Sequence, residues 1–480
     1  MKNFTLSLYA FHLRHPFVSE PGKPGDDASL LWENLANLGK GFLPFPELKD
    51  LRSNLICYQN STYNPQGERS TQSLTHSETT LDLGSILTQA GYKINGNLHP
   101  FRLNDTYAAD LTLLPDGRDI DIDPPQLKDF NPQSCLLPPS IQASLGQTLW
   151  IYGEVDKIES ECETLAKQYT VALLAETGLN EGQVKTGKLF GSLLFEWEVT
   201  DPTDCDNLSK QCHILVSINN TKADTERLVT ETYDWMRDFL CSRHKIRYIQ
   251  HQASERYPQA RALYSKLESK IQDFSPRIAK SENPLSDLKD LLTETPIHYL
   301  NYEICLRDLK THRTAIATNI SNCRTCLEKI KSSQDDLKLW EDFLDKTCNL
   351  YQSQIETDIS YLSPGQELFP QMINTFRGLI EIEQTEIEKR KEDAEKLRTE
   401  KLQNTIQAVG AGIGADVGVA GIVASSYPLL KEPWQFPSPS HLLLPPHPFL
   451  VSFSLSLLVG AGFGVSAWGL TKWLLNKAAK

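Results

Sequence analysis

Two long apolar runs near the C-terminus decide the predicted fold: Ile406–Pro428, which reads IQAVGAGIGADVGVAGIVASSYP, and Phe449–Thr471, which reads FLVSFSLSLLVGAGFGVSAWGLT. A helix rises about 1.5 Å per residue, so each run is long enough to cover a hydrocarbon core of about 30 Å. Asp416 is the one charged residue in the two runs. The runs therefore predict two transmembrane helices, 406–428 and 449–471, rather than a pair of buried helices in a soluble domain.

Charge separates these runs from the rest of the chain. The 480 residues carry a formal net charge of −13. Residues 1–405 hold 59 of the 61 acidic residues and 44 of the 48 Lys and Arg residues, a net charge of −15. An acidic surface argues against a nucleic acid duplex as a partner, because nonspecific duplex binding needs a basic surface.

The positions of Lys and Arg predict the orientation of the two spans. Basic residues are dense just before the first span and recur in the tail 472–480, whereas the Pro-rich loop 429–448 contains only Lys431. Because basic residues flank spans on the cytoplasmic side, we expect both termini in the cytoplasm and the loop outside.

Residues 1–220 mix strand and helix patterns and predict an α+β cytoplasmic domain with a mixed sheet. Aromatic and β-branched residues predict five strands, at Phe4–Leu13, Pro100–Leu114, Gln147–Val155, Lys188–Val199 and His213–Ile218. Helical spacing predicts three helices, at Ala28–Leu38, Glu47–Leu55 and Ser160–Glu176. Five prolines in Pro124–Pro139 indicate a linker.

Residues 221–405 predict long helices that form a stalk. The expected helices are Thr221–Phe274, Pro296–Lys331 and Asp335–Leu362, with a break at Ser363-Pro364-Gly365. No proline occurs from Gln371 to Tyr427, so one helix could continue into the first span. Its apolar stripe is interrupted, so we expect it to pack against a neighbouring helix or another subunit rather than stand alone in solvent.

Small residues and one acid characterise the spans. Glycines at small-xxx-small spacing let helix backbones approach closely, and we expect packing between chains rather than only between the two spans of one chain. The expected packing residues are Gly410, Gly414, Gly418, Gly460 and Gly464. Asp416 shares a helix face with Val409, Gly412, Ile413, Val419, Ala420 and Val423. Copies of this face around an axis would form a cation-attracting carboxylate ring; the alternative is a single protonated or hydrogen-bonded Asp at a helix interface.

Sequence motifs for catalysis are not found. The chain contains no complete Walker loop, dinucleotide fingerprint, zinc-protease motif or nucleophile elbow. We therefore expect no enzyme activity and no cofactor. Asp119, Asp121 and Asp123 alternate, which places three carboxylates on one face of a predicted strand. They are a candidate site for a hard divalent cation, with a solvated strand edge as the alternative.

The layout resembles the CorA family of two-span metal-ion transporters. Proteins of that family assemble as pentamers. Each chain has a cytoplasmic α/β domain, a stalk helix continuous with the first span, a short loop, a second span and a basic tail. The family's Gly-Met-Asn signature is absent, because Ser425-Ser426-Tyr427-Pro428 stands at the corresponding place. The resemblance therefore implies a homo-oligomeric channel body in the plasma (inner) membrane, but not magnesium selectivity.

Three functions follow as expectations. The first is a homopentameric membrane channel that passes cations and is gated by a ligand-sensing cytoplasmic domain. The second, implied by CorA-like proteins found beside bacterial defence systems, is a membrane effector activated by a nucleotide messenger. The third is a membrane-anchored binding or scaffold protein. The expected partners are the lipid bilayer, further copies of the chain and a small-molecule or nucleotide ligand.

Overall fold

A computed structural model describes residues 1–15, 25–66, 68–203, 210–280, 284–332 and 335–389. These residues form two compact units. The first unit contains the described residues within 1–252 and 314–352, and the second contains those within 253–313 and 353–389.

The first unit is built on a nine-stranded mixed sheet. The strands of the unit are β1 (Lys2–Leu13), β2 (Tyr58–Gln59), β3 (Thr62–Tyr63), β4 (Thr71–Ser73), β5 (Leu81–Leu87), β6 (Lys93–Leu103), β7 (Thr106–Pro115), β8 (Gly146–Glu154), β9 (Lys185–Leu189), β10 (Ser192–Val199) and β11 (Cys212–Asn219). The sheet order is β4-β6-β7-β1-β8-β11-β10-β9, with β5 also pairing with β6, while β2 and β3 form a separate hairpin. β8 and β11 pair in parallel, and the other described pairs are antiparallel.

Helices of the first unit connect these strands and cover the sheet. They are α1 (Leu30–Gly41), α2 (Pro46–Lys49), α3 (Leu51–Asn54), α4 (Leu127–Phe130), α5 (Pro138–Ile141) and α6 (Glu159–Leu173), with single 3-10 turns at Pro124–Gln126 and Pro132–Ser134. Trp32 of α1 and Tyr169 of α6 are fully buried in the core on one face of the sheet. Alternate strand residues such as Leu8, Leu111 and Ile151 point into the same core.

The long helices follow the sheet. They are α7 (Thr225–Lys280), α8 (Pro284–Ile330), α9 (Lys338–Asp342), α10 (Cys348–Leu362) and α11 (Gly365–Lys389), with a π-helical turn at Phe343–Thr347 between α9 and α10. Helices α7, α8 and α10 contribute residues to both units.

The second unit has an aromatic core of its own. The ring of Phe369 lies 5.1 Å from the ring of Tyr264 and 5.4 Å from that of Tyr302. Gly365 begins α11 beside this cluster, where a Cβ atom would lie 2.5 Å from Phe369 and 2.8 Å from the Tyr302 hydroxyl. A glycine is therefore needed for α11 to start against these rings.

Most of the predicted elements of residues 1–220 are confirmed, with local differences. The strands predicted at 100–114 and 188–199 are each two strands of a hairpin, β6–β7 and β9–β10. The linker predicted at Pro124–Pro139 is wrong. Its prolines start short helical turns, and Leu127, Phe130 and Leu136 are buried in the core.

The predicted fold class requires a larger correction. The sequence predicts an α+β domain, a helical stalk and two C-terminal transmembrane helices, but no described helix is both long and apolar enough to cross a membrane. The three described helices of at least 18 residues all carry charged residues along their length. The described fold is therefore an α/β domain with a mixed sheet, together with long helices. The runs 406–428 and 449–471, like the stalk beyond Lys389, lie outside the described residues.

Candidate functional site

The second face of the sheet is polar, in contrast to the apolar core on the first face. Side chains alternate between the two faces along each strand. Residues of α7 cover four polar residues on this second face: Asp110, Thr148, Glu196 and His213. Apolar side chains share this interface, since the ring of Phe11 lies 5.5 Å from that of His244. Buried polar groups are costly unless they are paired, so contacts between α7 and the sheet must be specific.

The charged cluster of this interface joins two strands to α7. Nη2 of Arg243 donates to Glu196 Oε1 at 2.9 Å and also to Glu198. Arg247 donates to the other oxygen of Glu198. The Glu196 and Arg243 side chains are 2% and 1% exposed, whereas that of Glu198 is 27% exposed. Two carboxylates and two guanidinium groups give the cluster no net charge.

A chain of hydrogen bonds runs from this cluster deeper into the interface. His213 Nε2 lies 2.7 Å from Glu196 Oε1, and its Nδ1 lies 3.0 Å from the hydroxyl of Thr148. The same hydroxyl lies 2.8 Å from His244 Nε2. If His213 donates from Nε2 to the carboxylate, its Nδ1 accepts from Thr148, and Thr148 accepts from His244. The three hydrogen bonds then run in one consistent direction, from His244 through Thr148 and His213 to Glu196.

Burial sets the protonation of this chain. It lowers the pKa of His213 and, more strongly, that of His244, and the nearby Arg243 lowers both further. Burial alone would favour a neutral Glu196, but Arg243 and His213 hold its pKa below the ordinary value. At neutral pH the histidines are therefore neutral and Glu196 is ionised.

The order Thr148–His213–Glu196 is that of a nucleophile, a base and an orienting carboxylate. Thr148 and His213 are fully buried, however, and α7 covers them. No substrate can reach the Thr148 hydroxyl in this arrangement, so these three residues do not form a nucleophilic site.

A cavity of about 490 Å³ lies elsewhere on the same face of the sheet. Residues of β1, β7 and β8 line it together with the first two turns of α7, including Val229. The indole Nε1 of Trp150 donates to Ser217 at 2.8 Å, and the Tyr152 hydroxyl donates to Glu154 at 3.1 Å. Because these polar groups already have partners, the aromatic part of the wall offers mainly carbon atoms to a ligand.

The rim of the cavity carries an ion pair. Arg118 Nη2 lies 2.9 Å from Glu226 Oε2, with side chains 77% and 44% exposed. Asn3 Nδ2 donates to the other oxygen of Glu226 at 2.6 Å. An exposed ion pair contributes only about 0–1 kcal/mol, so these groups can exchange their partners for those of a ligand. Glu226 belongs to the first turn of α7.

The predicted aspartates do not converge. Asp119, Asp121 and Asp123 are exposed and lie in a loop rather than in a strand. Asp121 binds the amino group of Met1 at 2.6 Å, and Asp123 caps the turn at Pro124–Gln126. Among the described residues, only Glu196, Glu198 and His213 bring three metal-ligating atoms within 4.8 Å of one another.

The remaining predicted site residues lie outside the described part of the chain. These are the proposed pore residues Val409, Gly412, Ile413, Asp416, Val419, Ala420 and Val423 and the packing residues Gly410, Gly414, Gly418, Gly460 and Gly464. Sequence reasoning missed the interface cluster. A signal existed in Ser192–Val199, where Glu196 and Glu198 alternate with Phe195 and Trp197, which are apolar.

No protein-family model, curated protein or solved structure matches the chain.

Proposed function

We propose that the first unit is a sensor domain that binds a small molecule in the cavity beside the start of α7. The observation that carries this proposal is the cavity of about 490 Å³, because its size is typical of small-molecule sites and α7 forms part of its wall. Its aromatic and aliphatic wall suits a ligand with an apolar body. The polar groups at the rim, Asn3, Arg118 and Glu226, suit a ligand that also carries a polar group.

Helix α7 provides the output of the proposed sensor. A ligand shifts a conformational equilibrium only if it contacts a part of the protein that differs between the two states. Glu226 and Val229 line the cavity, and the same helix pairs with Glu196 and Glu198 through Arg243. A ligand that displaces the Arg118–Glu226 pair would act on the first turn of α7, and the helix would carry the change to its later contacts.

The other predicted functions stay predictions. Cation passage through a homopentamer, a plasma membrane location and both termini in the cytoplasm depend on residues 406–480, outside the described residues. A nucleotide messenger as the ligand is likewise a prediction. The sensor proposal requires only the described first unit.

A ligand screen tests the proposal. A fluorescence-detected thermal shift assay of the full chain against a panel of cellular small molecules should find a compound that raises the melting temperature. Ligand at 100 times its Kd stabilises a folded protein by about 2.7 kcal/mol, which such an assay resolves. Val229→Trp fills the cavity and should abolish the shift.

Val171→Trp is the matched control, because Val171 is 50% exposed on α6 and lies away from the cavity. This variant should respond like the wild type. A compound that stabilises the wild type and Val229→Trp equally would place its site elsewhere and contradict the proposal, as would a panel without any binder.

A further inference from the structure

The strands β10 and β11 place three metal-ligating groups on one face of the sheet. Glu198 pairs directly with His213 across the two strands, and Glu196 lies two residues before Glu198 on the same face. Their ligand atoms lie within 4.8 Å of one another. Ligand atoms on one tetrahedral zinc ion are about 3.3–3.6 Å apart, since each lies about 2.0–2.2 Å from the metal. The 2.7 Å pair of His213 and Glu196 would open slightly, and any wider spacing would close, to admit the ion.

Arg243 pairs with both carboxylates in the present structure, but its own hydrogen bonding is incomplete. A single nitrogen, Nη2, serves both Glu196 and Glu198, whereas Nε and Nη1 are buried and have no hydrogen-bond partner among the described residues. An unsatisfied buried donor destabilises the folded state, because its hydrogen bond to water is lost and not replaced. The guanidinium is therefore a poor match for its site, despite lying 5.1 Å from the Phe343 ring.

Both ring nitrogens of His213 have hydrogen-bond partners in the present structure. Metal-ligating histidines almost always hold a hydrogen bond on the other ring nitrogen, which fixes the ring orientation. His213 directs Nε2 towards Glu196, and its Nδ1 lies 3.0 Å from the Thr148 hydroxyl. With a metal on Nε2, the ring proton would move to Nδ1 and donate to Thr148. Thr148 would then donate to His244 Nε2, 2.8 Å away, with the proton of that ring on Nδ1.

We propose that Glu196, Glu198 and His213 form a divalent-cation site in which the metal competes with Arg243 for the two carboxylates. One imidazole nitrogen and two carboxylates suit zinc, manganese or cobalt better than calcium or magnesium. Glu198 is partly exposed and gives the ion a route from solvent. This site shares no residue with the cavity beside Asn3 and Arg118, so the proposal is independent of the proposed sensor function.

Cobalt binding to the chelator-treated full chain tests this site, because Co²⁺ absorbs visible light when histidine and carboxylate ligands bind it. Arg243→Met removes the competing charge and keeps much of the side-chain volume. We expect this variant to bind one Co²⁺ per chain at least tenfold more tightly than the wild type. Adding His213→Gln should remove that binding. Adding His76→Gln, which changes an exposed histidine, should leave it unchanged.

Equal Co²⁺ affinity in the wild type and Arg243→Met would overturn the proposal, as would binding that survives His213→Gln. Arg243→Met also leaves Glu196 without an arginine partner, although Arg247 still donates to Glu198, and the metal-free variant can fail to fold for that reason. In that case one equivalent of Zn²⁺ should restore a cooperative thermal unfolding transition. A variant that stays unfolded with Zn²⁺ would equally overturn the proposal.

Discussion

Asp110 is a carboxyl group buried between strand β7 and helix α7. Its Oδ2 accepts a hydrogen bond from the Tyr233 hydroxyl at 2.9 Å, and its Oδ1 accepts one from Thr112 at 3.0 Å. Burial raises its pKa from the ordinary value of 3.8 to about 6, although both hydrogen bonds and the charge of Arg237 oppose the rise. Tyr9 and His99 also lie around this group.

This raised pKa predicts a pH dependence of stability. The folded state holds the Asp110 proton to higher pH than the unfolded state, so the contribution is fully present below pH 3.8. It is lost as the pH rises through about 6. A shift of about 2 pKa units corresponds to about 3 kcal/mol. Relative to Asp110→Asn, the wild type should therefore lose about 2.4 kcal/mol of unfolding free energy between pH 4 and pH 7, because Asp110 of the unfolded chain is already partly ionised at pH 4.

Urea denaturation of both proteins at a series of pH values measures this difference. His99 titrates in both proteins, so the comparison isolates Asp110. Asp119→Asn is the matched control, because Asp119 is exposed, and its pH profile should follow that of the wild type. Parallel profiles for Asp110→Asn and the wild type would show that Asp110 has an ordinary pKa.

At the scale of elements, strand β9 shows how the fold covers an edge of its sheet. Lys188 and Asp336 exchange two backbone hydrogen bonds, of 2.8 and 3.0 Å, so the segment before α9 pairs with β9. A Cβ atom on Gly187 would lie 2.5 Å from the carbonyl oxygen of Asp336 and 2.5 Å from Leu339. A bare edge strand invites pairing with other chains, and this segment prevents it.

Gly187→Ala should therefore destabilise the first unit. The added methyl group meets backbone that cannot move without breaking the pairing, and such overpacking costs about 1–3 kcal/mol. Gly41→Ala is the matched control, because no atom lies within 4 Å of its Cβ position, and it should leave stability unchanged or slightly higher. Guanidinium denaturation measures both variants. The same unfolding free energy for the two would refute the close approach at Gly187.

At the scale of the whole molecule, the sequence predicts local elements better than the site. Alternation and composition predict β1, β8 and β11 closely, because the apolar face of each strand can be recognised from the strand's own residues. The cluster of Glu196, His213 and Arg243 depends on contacts between β10, β11 and α7. No local sequence pattern predicts that α7 covers this face of the sheet. The linker prediction for the Pro-rich segment 124–139 is wrong for a related reason, since the burial of this segment depends on a core formed by other elements.

The transmembrane prediction rested on residues 406–428 and 449–471, whereas the site described here lies in residues 1–252. The proposed sensor function therefore depends on the first unit alone. A small molecule in the cavity changes the first turns of α7, because Glu226 and Val229 contribute to the wall of that cavity.

Hydrogen–deuterium exchange of the full chain, with and without the strongest binder from the ligand screen, tests this claim most directly. We expect ligand to change the exchange of backbone amides at residues 225–236 as well as in the cavity strands β1 and β8, and Val229→Trp to remove both effects. Ligand-dependent protection confined to the strands, with α7 unchanged, would contradict the claim.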